Sequence, residues 1–121
     1  MARASGTGDI ARAQAHEDAD GFTGNWSVVS YAVCVQPPAG YEVVYASSDE
    51  RLSETNKVAT ALCPGTKRVH GAGGAITKVA PGNVSLQAVV PIGERVQAIA
   101  VENTPTDESW DFIVAQAICA Y

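Results

Sequence analysis

The strongest constraint on this chain is that part of it is written twice. Residues 11–35, ARAQAHEDADGFTGNWSVVSYAVCV, return as residues 96–120, VQAIAVENTPTDESWDFIVAQAICA. At a constant offset of 85 positions, Ala13 meets Ala98, Ala15 meets Ala100, Glu17 meets Glu102, Val29 meets Val114, Ala32 meets Ala117 and Cys34 meets Cys119. Only Trp26 and Trp110 slip, by one residue. Self-similarity at a fixed spacing marks one supersecondary unit used more than once. The earlier copy holds only the closing part of that unit. The sequence therefore predicts a partial repeat over residues 10–35 and a full repeat over residues 36–121, forming one domain behind a flexible N-terminal segment of residues 1–9.

Short runs rich in Val, Ala and aromatics, separated by turn residues, set the expected class. IARAQAHE from Ile10, WSVVSYAVCV from Trp26, YEVVYASS from Tyr41 and KVATALC from Lys57 form the first half of the series. KRVHGAGGAI from Lys67, VSLQAVV from Val84, ERVQAIAVE from Glu94 and SWDFIVAQAICA from Ser109 form the second. Pro37-Pro38-Ala39-Gly40, Pro64-Gly65, Pro81-Gly82-Asn83 and Pro91-Ile92-Gly93 punctuate them. About eight strands at such intervals predict an antiparallel all-β sandwich, barrel or prism-like domain with an internal pseudo-repeat. Only residues 9–19 have a helix-like composition, and their repeat partner VQAIAVE decides for strand.

Charge and hydropathy exclude two classes of partner. A net charge of −5 and scattered basic residues argue against nucleic acid, whose phosphates require a basic face. No apolar run approaches the roughly 20 residues of a membrane-crossing helix, so no membrane insertion is expected. The N-terminal MARASGTGD lacks the apolar stretch of a signal peptide. The expectation is that a leader has been removed and replaced by Met1, or that the chain leaves the cell by another route.

Three cysteines make an odd count. Cys34 and Cys119 end equivalent strands, while Cys63 lies in the middle segment. If the end of the Cys34 strand lies near Cys63, a disulfide would close a loop of about 30 residues, worth roughly 3 kcal/mol, and leave Cys119 unpaired or available to another chain. The alternative is three small, buried, reduced thiols.

Linked motifs carry a resemblance. CPGTKRVHGAGGAI at Cys63–Ile76, then VSLQAVVP, a strand ending in Glu102, and SWDFIVAQAICA resemble a repeat of small secreted actinobacterial proteins of uncharacterised function. That repeat has a Cys-Pro-x-Gly-Lys-x-Val-x-Gly-Gly-Gly-Ala stretch and a closing Trp…Ala-Ile-Cys-Ala strand. The similarity spans residues 10–48 and 57–120. It implies an extracellular setting and supports pairing Cys34 with Cys63, because a closing-strand cysteine is there followed by the next Cys-Pro motif. It supplies no catalytic residues. The chain departs from the pattern at Ala72, where a glycine is usual.

The glycines Gly71, Gly73 and Gly74 do not form a phosphate cradle, since the third glycine of G-x-G-x-x-G is missing and no helix follows. They read as strand positions kept small because a backbone or a bulky side chain, Trp26 or Trp110, packs over them. Acidic residues around Glu17 and Glu102 match no calcium-loop pattern and read as solvated turns. The repetition of Glu17 and Glu102 also suggests a paired structural role.

No constellation points to chemistry. His16 and His70 lack metal-ligand spacing, and a Cys63–His70 nucleophilic pair would lose its thiolate to the disulfide. Neither a cofactor, a metal nor catalytic residues are expected. The function expected is a non-catalytic structural or assembly domain of a cell-surface, extracellular or virion structure, with a protein partner or a second copy. The alternative is a carbohydrate- or other ligand-binding module using Trp26, Tyr31, Tyr41, Tyr45 and Trp110, and a small hydrolase-type enzyme is the minor alternative.

Overall fold

The computed structural model describes residues 2–5, 8–18, 20–48, 56–77, 83–103 and 113–121. Eight strands run in the order β1 (Ala2–Ser5), β2 (Gly8–Ala11), β3 (Glu42–Ser47), β4 (Asn56–Leu62), β5 (Arg68–Ile76), β6 (Val84–Ile92), β7 (Arg95–Glu102) and β8 (Ile113–Ala120). All pairings are antiparallel. One sheet has the order β3-β8-β5 and the other β4-β7-β6, with β1-β2 a separate hairpin. The all-β, sandwich-like class expected from the sequence is what the chain forms.

Alternation dictates how the two sheets meet. In β4, Lys57, Ala59 and Ala61 are buried while Val58, Thr60 and Leu62 are exposed. In β7, Val96, Ala98 and Ala100 face inward, and in β8 Ile113, Ala115, Ala117 and Cys119 do so. Successive side chains of a strand point to opposite faces, so each of these sets lines one side of its sheet. Together with Cys63, all of these inward-facing residues except Lys57 form one hydrophobic core, with Val44, Ala46, Val69, Ile76, Val84 and Val89 at its margin. A core made largely of methyl groups requires the facing backbones to approach more closely than the ~10 Å of a sandwich filled by large side chains. Gly74 shows that closeness: a Cβ there would lie 2.7 Å from Val89 of the opposite sheet and 3.3 Å from Ala98.

The β6–β7 hairpin fixes one end of the sandwich. Ile92 is opposite Arg95, so Gly93-Glu94 is a two-residue turn, and Gly93 takes the left-handed φ of 60° that such turns demand. Its carbonyls reach across to the β4–β5 connection. Glu94 O accepts the Cys63 N–H at 2.7 Å, and Gly93 O accepts the Val69 N–H at 3.1 Å. Cys63 is thereby held at the end of β4, where it bonds to Cys119 with a Cα separation of 5.6 Å.

Two expectations are corrected. The described residues between 12 and 41, which include the expected strand WSVVSYAVCV and most of IARAQAHE, belong to no strand. The disulfide joins Cys63 to Cys119, and Cys34 is the free, exposed thiol. The reason is topological. Only β8 lies between β3 and β5, and this central position carries Cys119, not its twin Cys34, to the end of β4. Ahead of residue 12, Ala2–Ser5 and Gly8–Ala11 pair as the hairpin β1-β2.

Candidate protein-interaction site

Residues 12–35 form an arm whose sequence is that of β7 and β8 but whose surroundings are the reverse. Ala98, Ala100, Ala117 and Cys119 are buried in the core, whereas Ala13, Ala15, Ala32 and Cys34 are exposed. Phe22, Trp26, Val28, Val29, Tyr31, Val33 and Val35 are all exposed large apolar residues, with Tyr31 at 85 % and Val33 at 94 %. Scattered exposed hydrophobics are ordinary, but a contiguous run of them marks an interaction surface.

Local contacts shape both ends of the arm. Near its start, Gly21 N–H donates to Asp18 O at 3.1 Å in a turn closed by Gly21 at φ 68°. Across that turn, the Trp26 indole N–H donates to the Glu17 carboxylate at 2.8 Å. At the other end, Tyr41 N–H donates to Pro38 O at 3.1 Å and Tyr121 N–H to Ala39 O at 3.0 Å. Gly40 sits there at φ 73°, with the Tyr121 ring where a Cβ would be. The Lys67 ammonium pairs with the Glu42 carboxylate and lies 5.5 Å from the centre of the Tyr121 ring. Glu42 is directly opposite Cys119 in the β3–β8 ladder. The arm is therefore anchored at the very end of the sheet where β8 carries its cysteine.

The glycines lie in β5, and the close neighbour described at Gly71 is Ile118. Gly71 pairs with Ile118 and Gly73 with Gln116, so the run lies inside the β5–β8 ladder. A Cβ on Gly71 would stand 2.8 Å from Ile118 Cδ1 and 3.3 Å from its Cβ. The bulky group over Gly71 is thus Ile118, while Trp26 is on the arm and Trp110 lies outside the described residues. Gly73 stands opposite Gln116, whose side-chain amide donates to the Tyr45 hydroxyl at 3.1 Å.

The other expected residues are not gathered into one place. Glu17 serves Trp26, whereas Glu102 closes β7 opposite Val84. Trp26 and Tyr31 are on the arm, and Tyr45 is on the outer face of its sheet. His16 lies 3.3 Å from the Gln14 amide on the arm, and His70 is exposed on β5. The Cys63 sulfur, spent in a disulfide, has no thiolate to offer His70. Among the described residues, no three His, Cys, Asp or Glu side chains converge as a metal site. No helix there is long and apolar enough to cross a membrane. The acidic stretch from Thr104 to Glu108 lies outside the described residues.

Sequence reasoning missed the hairpin β1-β2, the inward-facing Lys57 and the buried Gln116. The only sequence signal for the hairpin is the glycine-rich Gly6-Thr7-Gly8. Lys57 occupies the phase of Ala59 and Ala61, so the period of β4 alone would have placed it inside. Comparison of the chain with protein-family models, characterised proteins and solved structures finds no match.

Proposed function

We propose that this domain is an assembly module of an extracellular, cell-surface or virion structure, joined to a protein neighbour through residues 26–35. The observation that carries the reading is an exposed run of β-branched and aromatic residues equivalent, position by position, to the strand at the centre of the domain's own sheet. Such a segment has the composition of a strand and lacks only ladder partners, which is the state of a peptide before strand addition. The Cys63–Cys119 disulfide supports an oxidising compartment. The resemblance to secreted actinobacterial repeat proteins supports the same setting.

Sedimentation velocity over a concentration series tests this directly. The intact chain should form species heavier than its 12.6 kDa monomer, and replacing Val29, Tyr31 and Val33 together by Ser should return it to the monomer. A monomer at every concentration would overturn assembly between copies. Retention of a glycan through Trp26 and Tyr31 by that monomer would favour the ligand-binding alternative.

A further inference from the structure

Building on the assembly reading, we infer that residues 28–35 are a second central strand, made to enter a β8-type slot of a neighbouring unit of this same repeat and to bond there through Cys34. The partner is a sandwich unit with strands of the β3 and β5 type and a Cys63-type cysteine, whose own closing strand is absent. The described residues hold two segments of the β8 kind, residues 28–35 outside any sheet and β8 within one, and one slot to receive them. β8 fills that slot and takes Cys63. The surplus donor belongs in a unit that has the slot without the donor.

The slot that β8 fills can be compared with the arm position by position. On the face toward the core, Ile113, Ala115, Ala117 and Cys119 are replaced in the arm by Val28, Ser30, Ala32 and Cys34. These are small residues of nearly matching volume, as a methyl-lined core demands. On the outer face, Val114, Gln116, Ile118 and Ala120 are replaced by Val29, Tyr31, Val33 and Val35. Tyr31 would take the position of Gln116, between a residue of the Tyr45 type on one side and a glycine of the Gly73 type on the other. Cys34 would take the position of Cys119, next to a cysteine held as Cys63 is held by a Glu94-type carbonyl.

The bond forms by oxidation of two thiols. A low-molecular-weight disulfide such as oxidised glutathione accepts two electrons and two protons, Cys34 Sγ joins the Cys63-type Sγ, and two small thiols leave.

The test uses the full chain with Cys119→Ala, which frees the Cys63 thiol and removes the covalent bond that holds β8 in its slot, so that the arm of a neighbouring copy can compete for the slot. In a glutathione redox buffer, unreduced peptide mapping should show Cys34 of one copy joined to Cys63 of another. Moving the sulfur one residue, with Cys34→Ser and Val33→Cys added, turns it to the opposite face of the strand, and the linkage should be lost. Cys34 remaining open to alkylation, or equal linkage from position 33, overturns the inference. If Cys119→Ala does not fold, the wild-type chain is reduced, unfolded and reoxidised. Cys34–Cys63 must then appear beside Cys63–Cys119, and its absence overturns the inference equally. Linkage mapping and chain counting are read separately: copies that associate without this bond sink the strand-slot inference and leave assembly standing, while linkage confined to a strictly monomeric chain overturns both.

Discussion

Individual residues show why the central sheet tolerates so little side-chain volume on β5. Gly71 is paired with Ile118 on the outer face of the sheet, and a Cβ there meets both the Cδ1 and the Cβ of that isoleucine. The Cδ1 can swing away, but the Cβ is fixed to the backbone of the central strand. Gly71→Val should therefore cost about 1–3 kcal/mol, the usual penalty for forcing extra volume into a packed site. Urea unfolding measures it as a lower midpoint at unchanged slope, since the surface exposed on unfolding barely alters. An unchanged midpoint would show that Ile118 has room to retreat.

At the scale of elements, β8 organises the domain. It is hydrogen-bonded to β3 on one side and β5 on the other, and its cysteine ties it to β4 of the facing sheet. The disulfide spans 56 residues of sequence, and constraining the unfolded chain over such a loop is worth about 4 kcal/mol. Cys63→Ala should thus lower thermal stability substantially, whereas Cys34→Ser, at an exposed thiol outside the sheets, should leave the melting temperature in place. Equal losses would mean that Cys34 is bonded in the folded domain. These elements also mark what was legible in advance. The strands from β3 to β8 were readable because period-two alternation and turn residues are local properties. Residues 26–35 read as strand just as clearly, yet pair with nothing in a sheet. Sequence pattern records fitness for a ladder, while the ladder itself needs partners from elsewhere in the chain. The disulfide was misread for the same reason. The repeat identifies Cys34 and Cys119 as equivalents, but only the strand order decides which of them reaches Cys63. Nor could the sequence say that Ile118 stands against Gly71, because that neighbour is set by register.

For the whole molecule, the repeat provides an internal control in which the same residue at the same phase has two fates. Ala117 is fully buried between the sheets on β8, and Ala32 is exposed on the arm. Ala117→Asp would bury a carboxylate against alanine methyls, which costs several kcal/mol because the group must stay unpaired or take up a proton. The sandwich should unfold or become acid-dependent in its folding. Ala32→Asp adds a solvated charge, and surface changes of that kind stay within about 0.5 kcal/mol. Its melting temperature should match the parent chain. The carboxylate introduced on the arm would face inward, toward the core, if the arm entered a slot of the β8 type, so Ala32→Asp should weaken association between copies while sparing the fold. Thermal unfolding and sedimentation velocity on the two variants separate these effects. Equal destabilisation by both would place the arm inside the domain's own core. Unaltered stability and association in Ala32→Asp would mean that this face of the arm meets only water.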